Sequence, residues 1–371
     1  MGVKRLIHRL SIVGLALMAG LFLFAFASSA GIPDDVLTTA NPRVREVMAV
    51  QEDVTPDLMS SEDVLGTAVG QDDDGELTLI VYVDLDAKNL GEVVRAIPPE
   101  LRGERVRIEI TERFYAMAGK PGATSGVSHK AKQTPPIQLG TSGGWGYDIA
   151  NGYCCGGTLG SLVQIRGTPY ILSNYHVLEA DIVDGGNYPP RVAQKDDPVV
   201  QPGLIDVACN AASAQNVATL SGIKSLPSSN VDAAIAQVIP GMVRTDGAIL
   251  EIGTISRSTV AAFINQAVKK SGRTTGLTRS KISGLNATVS ITYDNECAGG
   301  TAFTKTFTGQ IVISNRASKF LNSGDSGSLM VEDVTSNPRA VGLLFAGSSS
   351  TAIANPIGEV LAFFGAAMVG D

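Results

Sequence analysis

From about Gly144 onward the chain breaks into short apolar runs separated by clusters of Gly, Pro, Asn and Ser, and this punctuation limits what it can fold into. Gly157 to Ile165, Pro169 to Asn174, Val231 to Val238 and Ile282 to Tyr293 are such runs, followed by Thr306 to Ser314, Ser328 to Val334 and Ala340 to Phe345. Regularly spaced strand signals of this kind belong to sandwiches and barrels, and the abundance of glycine with few charged or aromatic residues agrees. The expected class is all-β. The last apolar segment, Ile357 to Phe364, has helical spacing and is expected to be a terminal helix.

The preceding part has a different texture. Residues 31 to 118 are expected to form a small α+β unit, with strands at Leu77 to Val83 and Val106 to Ile110 and an amphipathic helix at Lys88 to Ile97, stopped by Pro98, Pro99 and Gly103. Residues 119 to 144 are rich in Gly, Ser, Thr, Pro and Lys without apolar periodicity, as in a flexible linker. Residues 145 to 371 then make the main β domain. At the start, Lys4, Arg5 and Arg9 precede an apolar stretch from Leu10 to Ala27, and Ser28-Ser29-Ala30 offers small residues for cleavage. Residues 1 to 30 are therefore expected to be a signal peptide and the product secreted or periplasmic. An uncleaved anchor is the alternative.

Four cysteines follow, Cys154, Cys155, Cys209 and Cys297. In an oxidising compartment they suit disulfides, with three possible pairings left open. No Cys-x-x-Cys pair or neighbouring His offers zinc-ligand spacing, so no metal and no cofactor is expected. A net charge of −7 without a dense basic cluster beyond the first ten residues argues against nucleic-acid partners. Asn286-Ala287-Thr288 fits an N-glycosylation acceptor, relevant only in a eukaryotic secretory pathway.

One segment carries chemistry: Asn322-Ser323-Gly324-Asp325-Ser326-Gly327-Ser328. A hydroxyl nucleophile must stand on a tight turn, and flanking glycines let the backbone amides of Gly324 and Ser326 converge on a developing oxyanion. A plain Gly/Ser turn between strands would look similar, so a base is needed. The chain has three histidines: His8 lies in the signal, His129 in the linker, and His176 ends the run Tyr170-Ile171-Leu172. His176 is the candidate to take the serine proton. The imidazole needs an orienting carboxylate. Asp232, at the mouth of the apolar strand Val231 to Val238, is preferred over Asp206 because a carboxylate there is costly unless paired.

The blocks Gly157-Thr158-Leu159-Gly160, Ser173-Asn174-Tyr175-His176-Val177-Leu178, Val231-Asp232-Ala233-Ala234 and Gly324-Asp325-Ser326-Gly327-Ser328 together resemble the chymotrypsin-like (trypsin-like) serine protease superfamily, in the order His, Asp, Ser. Ser271-Gly272-Arg273-Thr274-Thr275-Gly276 is similar to a turn in secreted bacterial proteases of the streptogrisin and α-lytic type. The resemblance covers roughly Gly144 to Asp371. It departs from the common pattern at Ser173-Asn174-Tyr175-His176-Val177, where the cysteine that often follows the histidine is missing, and at Ser328, where glycine is frequent.

The resemblance implies a double β-barrel of the chymotrypsin type and a serine endopeptidase acting on protein or peptide substrates, with a triad of His176, Asp232 and Ser326. It also implies that Phe320 lies at the base of the specificity pocket and that Phe345-Ala346-Gly347 forms the wall that pairs with substrate backbone. By analogy, residues 31 to 118 could be a propeptide. A catalytically silent module that keeps the fold and binds a partner is the competing class.

Overall fold

Hydrophobic runs that alternate with turn residues become strands when each can bury one face against another sheet, and the computed structural model contains two such β units. It describes residues 36–116, 128–150, 153–179, 193–221, 226, 229–293, 303–315 and 319–371. The proposed signal segment, 1–30, lies outside these. Among the described residues no helix is long and apolar enough to cross a membrane.

The N-terminal part runs α1 (Pro42–Leu58), β1 (Val64–Gln71), β2 (Leu77–Asp84), α2 (Leu90–Ala96), β3 (Glu100–Leu101), β4 (Glu104–Thr111) and β5 (Phe114–Ala116). Asn41 caps α1 by accepting from the Arg43 and Val44 amides, which fixes where that helix begins. The first β unit contains β6 (Thr141–Trp145), β7 (Ile149–Ala150), β8 (Tyr153–Cys154), β9 (Gly157–Leu159), β10 (Ser161–Ile165), β11 (Thr168–Ser173), the single turn α3 (Tyr175–Leu178), β12 (Pro198–Gln201), β13 (Gln215–Leu220) and β14 (Ala234–Val238). The second contains β15 (Ala267–Gly272), β16 (Gly276–Tyr293), β17 (Phe303–Ser314), β18 (Leu329–Glu332), β19 (Ala340–Gly347) and β20 (Thr351–Pro356). Helix α4 (Ile357–Phe364) and β21 (Ala367–Met368) close the chain.

The first unit is an eight-stranded curled sheet in the order β21-β10-β11-β14-β13-β12-β6-β9, around a core that includes Leu159, Ile171, Val199, Val217 and Ala236. Its β10–β11 hairpin turns through Arg166 and Gly167, both at positive φ, the two-residue geometry that matches strand twist. The second unit runs β15-β18-β19-β20-β17-β16 and closes on itself through a β15–β16 pairing. The double-barrel β architecture with a C-terminal helix expected from the sequence is present. Cys154 and Cys209 form a disulfide, and Cys155 is also disulfide-bonded.

The N-terminal part differs from the expected free-standing unit. β1 pairs antiparallel with β16, so the sheet of the second barrel continues through β1, β2 and β4 without a break. Polar residues strengthen the seam: Gln51 donates to the Asn286 carbonyl oxygen at 2.9 Å, and the Asn286 side-chain amide donates to Gln51 and Glu52. The same contacts occupy the nitrogen at which a glycan would have to be attached. The linker expectation also fails beyond the undescribed residues 117–127. There Ile137 and Leu139 are buried and Thr141–Trp145 is a barrel strand, because short apolar residues among Gly and Ser suffice for a strand once a partner is supplied.

Candidate active site

His176 sits in the single turn α3 that follows β11, and Asp232 lies two residues before β14. The β11–β14 register sets Ser173 opposite Ala234, which brings the residues just beyond each strand side by side. His176 Nδ1 is 2.7 Å from Asp232 Oδ2, and the His176 amide approaches Oδ1 at 3.4 Å. Asn174 donates its side-chain amide to the Asp232 carbonyl oxygen at 2.7 Å, and the Asp232 amide donates to Asn355 Oδ1 at 3.0 Å. The Tyr293 hydroxyl donates to Asp232 Oδ2 at 2.8 Å. A carboxylate with no solvent exposure is tolerated because so many donors converge on it. The carboxylate's donors come from both barrels, His176 from the first and Tyr293 from the second, while Asn174 and Asn355 hold the Asp232 backbone.

Ser326 stands on the turn between residues 319 and 329, where Gly324 and Gly327 have φ of 93° and 88°. Any side chain at Gly327 would meet Ser173 Oγ at 2.2 Å and the Thr158 carbonyl oxygen at 2.3 Å, so glycine is needed for both conformation and space. The turn packs directly on the first barrel. The Thr158 amide donates to the Ser326 carbonyl oxygen at 2.8 Å, Thr158 Oγ1 donates to the Gly324 carbonyl oxygen at 2.9 Å, and Gly157 is lodged between Val177 and the Ser326 carbonyl. Val177 is the residue after His176, so these contacts bring the serine turn to the histidine segment. The Ser326 hydroxyl donates to the Phe345 carbonyl oxygen at 3.2 Å.

Within the turn the Asp325 amide donates to Asn322 and the Gly327 amide to Leu344. The amides of Gly324 and Ser326 make no hydrogen bond among the described residues, which leaves the two expected oxyanion donors available. Asp325 is a strut for the turn. It accepts from the Thr274 amide at 2.8 Å, Thr275 Oγ1 at 2.6 Å and the Asn322 amide at 3.0 Å, and pairs with the buried Lys270 ammonium at 3.2 Å. Burial lowers the Lys270 pKa below its ordinary 10.5, with Asp325 opposing that shift.

The other candidates separate clearly. Asp206 accepts both arms of Arg273 at 2.7 Å and Ser142 Oγ at 2.6 Å, so it neutralises a buried guanidinium and does not serve a histidine. His129 is buried with Nδ1 2.7 Å from the Gly140 carbonyl oxygen and Nε2 2.6 Å from Glu251, a core histidine with both nitrogens committed. Phe320 is not a pocket base: it is fully buried in the core of the second barrel with Met330, Leu321 and Leu344. The Phe345 ring packs against Phe307 at 5.0 Å, while Ala346 and Gly347 have a backbone partner in β5. Tyr293, Asn174 and Asn355 were not anticipated as site residues. Their roles depend on the docking of two barrels, for which a single chain pattern holds no signal.

A family model described as the Nal1 C-terminal domain matches residues 228–355, a span that includes Asp232, Tyr293, Ser326 and Asn355 but not His176. No curated protein matches the chain. Among solved structures, a glutamic acid specific serine protease is similar at 18% identity and a TM-score of 0.40, covering 62% of this chain and 100% of that one. Thermobifida fusca Protease A aligns at 18% identity and a TM-score of 0.41, covering 63% and 99%, and Cellulomonas bogoriensis chymotrypsin at 19% and 0.39, covering 63% and 99%.

Proposed function

We propose that this protein is an exported serine endopeptidase in which Ser326 is the nucleophile, His176 the general base and Asp232 the orienting carboxylate. The observation that carries the reading is the buried His176–Asp232 pair at 2.7 Å, set against the glycine-flanked Ser326 turn by the contacts of Thr158 and Gly157. A serine hydroxyl is too weakly acidic to attack a carbonyl unaided. In the reaction the Ser326 hydroxyl turns from the Phe345 carbonyl to the imidazole and its oxygen bonds to the substrate carbonyl carbon. His176 takes the proton and returns it to the leaving amine. Asp232 holds the imidazole in the tautomer with Nδ1 protonated and stabilises the charged ring. The Gly324 and Ser326 amides face the oxygen that becomes negative. Water then releases the acyl group by the same route in reverse.

Disulfides at Cys154–Cys209 and at Cys155 suit an oxidising compartment, in keeping with a secreted or periplasmic protein. The test is labelling of the full chain with a fluorophosphonate, which reacts with activated serines. Labelling that vanishes in Ser326→Ala supports the hydrolase. A folded chain that does not label is a silent module.

A further inference from the structure

Strand β19 has β20 along one edge and β18 along the other, but β18 begins only after the Ser326 turn and reaches no further along β19 than Leu343. Past that point the open edge of β19 is taken by β5. Ala346 pairs with Ala116 and Gly347 with Tyr115, antiparallel. The other edge of β5 lies parallel to the end of β16, with Phe114 at Ile291 and Tyr115 at Thr292. Both neighbours are one residue from groups that contact the proposed triad: Phe345, before Ala346, supplies the carbonyl that accepts from Ser326, and Tyr293, after Thr292, donates to Asp232. β5 therefore runs into the centre of the candidate site.

We propose that Phe114–Ala116 is the chain's own occupant of the site where a substrate lays its backbone. The substrates are then unstructured peptide segments that add to β19 as a strand, and they enter only when β5 leaves. This inference rests on the Ser326 reading for its link to catalysis. An exposed strand edge binds any extended chain through its amides and carbonyls, with side-chain pockets adding selectivity. The occupant is short. It has three residues, its middle side chain Tyr115 is 43% exposed, and its buried anchor is Phe114, which meets Tyr82 edge to face at 5.6 Å. The chain before it is tethered beside the same edge, where Thr111 Oγ1 lies 2.8 Å from Ser348 Oγ and Glu112 accepts from the Ser349 amide at 3.2 Å. That tether keeps a released β5 close and makes the closure reversible.

The experiment uses the full chain in a Ser326→Ala background, with and without Tyr115→Pro, and reads the fluorescence anisotropy of a dye-labelled hexapeptide containing Phe-Tyr-Ala. Proline removes the Tyr115 amide from the ladder at an exposed side chain. Affinity for a site that is open only part of the time is reduced by the open fraction, so Tyr115→Pro is expected to bind the peptide at least about tenfold more tightly. Equal affinity in two folded proteins overturns the inference. Should Tyr115→Pro fail to fold, Tyr115→Gly, which keeps the amide and weakens the strand, is read with the same two outcomes. Fluorophosphonate labelling of the chain with Ser326 intact separates the two ideas, because that probe is too small to need β19. Labelling with unchanged peptide affinity sinks the inference alone, whereas a tenfold gain in affinity without labelling sinks the hydrolase and leaves the peptide site standing.

Discussion

Tyr293 and His176 share one carboxylate oxygen: the phenol donates to Asp232 Oδ2 at 2.8 Å and the imidazole Nδ1 lies 2.7 Å from the same atom. Their rings meet edge to face with centroids 6.0 Å apart. Tyr293 thus fixes the carboxylate from the second barrel while the histidine approaches from the first. Replacing Tyr293 by Phe keeps the ring packing and removes one hydrogen bond to a charged acceptor, an interaction worth about 1.5–3 kcal/mol. The expected result is a fall in kcat of roughly 10- to 100-fold with KM little changed, because the lost contact orients the base and touches no substrate. An unchanged kcat would remove Tyr293 from the catalytic arrangement.

The two aspartates are expected to fail differently. Ser326→Ala, His176→Ala and Asp232→Asn should each lower kcat by at least about 10³-fold in a protein that still folds, as for groups acting as one unit. Asp206→Asn leaves the buried Arg273 guanidinium without its counter-ion, which costs about 3–5 kcal/mol of stability. Activity measured well below the melting temperature, alongside thermal denaturation, distinguishes them. A stable and inactive Asp206→Asn protein would reverse the assignment of the carboxylate.

Much of the candidate site is legible because its chemistry is local. The glycines around Ser326 mark a turn, and a lone histidine at a strand end beside an apolar strand with one aspartate leaves few choices. The barrel strands were legible for a related reason, since turn residues punctuate them. What escaped has a common cause. Ile137, Leu139 and Thr141–Trp145 look like linker because few of their residues are apolar, yet each finds a ready partner in the first barrel or in Met242 and Leu250. The resemblance puts Phe320 at a pocket base, but Phe320 packs with Leu321 and Met330 in the core. The junction of β1 with β16 was invisible, because strand propensity says nothing about which distant strand completes the ladder.

The ion pair beneath the Ser326 turn has a consequence for pH dependence. Lys270 is fully buried and its pKa is lowered from 10.5 by desolvation, with Asp325 the principal opposing influence. Between that lowered value and 10.5 the unfolded chain binds more protons than the folded one, so folding stability rises as pH climbs through this alkaline window. Lys270→Met removes the rise. It also strands the Asp325 carboxylate, at a cost of about 3–5 kcal/mol near neutral pH. Chemical denaturation at several alkaline pH values checks both effects. A mutant as stable as the parent at pH 7 would show that the hydrogen bonds from Thr274, Thr275 and Asn322 suffice to hold Asp325.

The N-terminal part should remain bound after the chain is cut. With a protease recognition sequence placed within residues 117–127, cleavage yields a fragment ending before the cut and a second carrying both barrels. All four cysteines lie in the second fragment, so no disulfide can join the two. The seam that remains is substantial: β1 pairs along β16 from Gly66 opposite Val289 to Gly70 opposite Gly284, and Gln51 and Asn286 add side-chain hydrogen bonds across it. The core spans the same junction, with Leu65, Ala68, Ile80 and Tyr82 packed among Ala287, Val289, Ile291 and Phe307. Burying these side chains contributes about 1.5–3 kcal/mol for each of the larger ones, more than the loss of one covalent tether removes. Size-exclusion chromatography of the cut protein is therefore expected to show both fragments in one peak under native conditions and two peaks in denaturant. Separation without denaturant would restore the reading of residues 31 to 118 as a detachable propeptide.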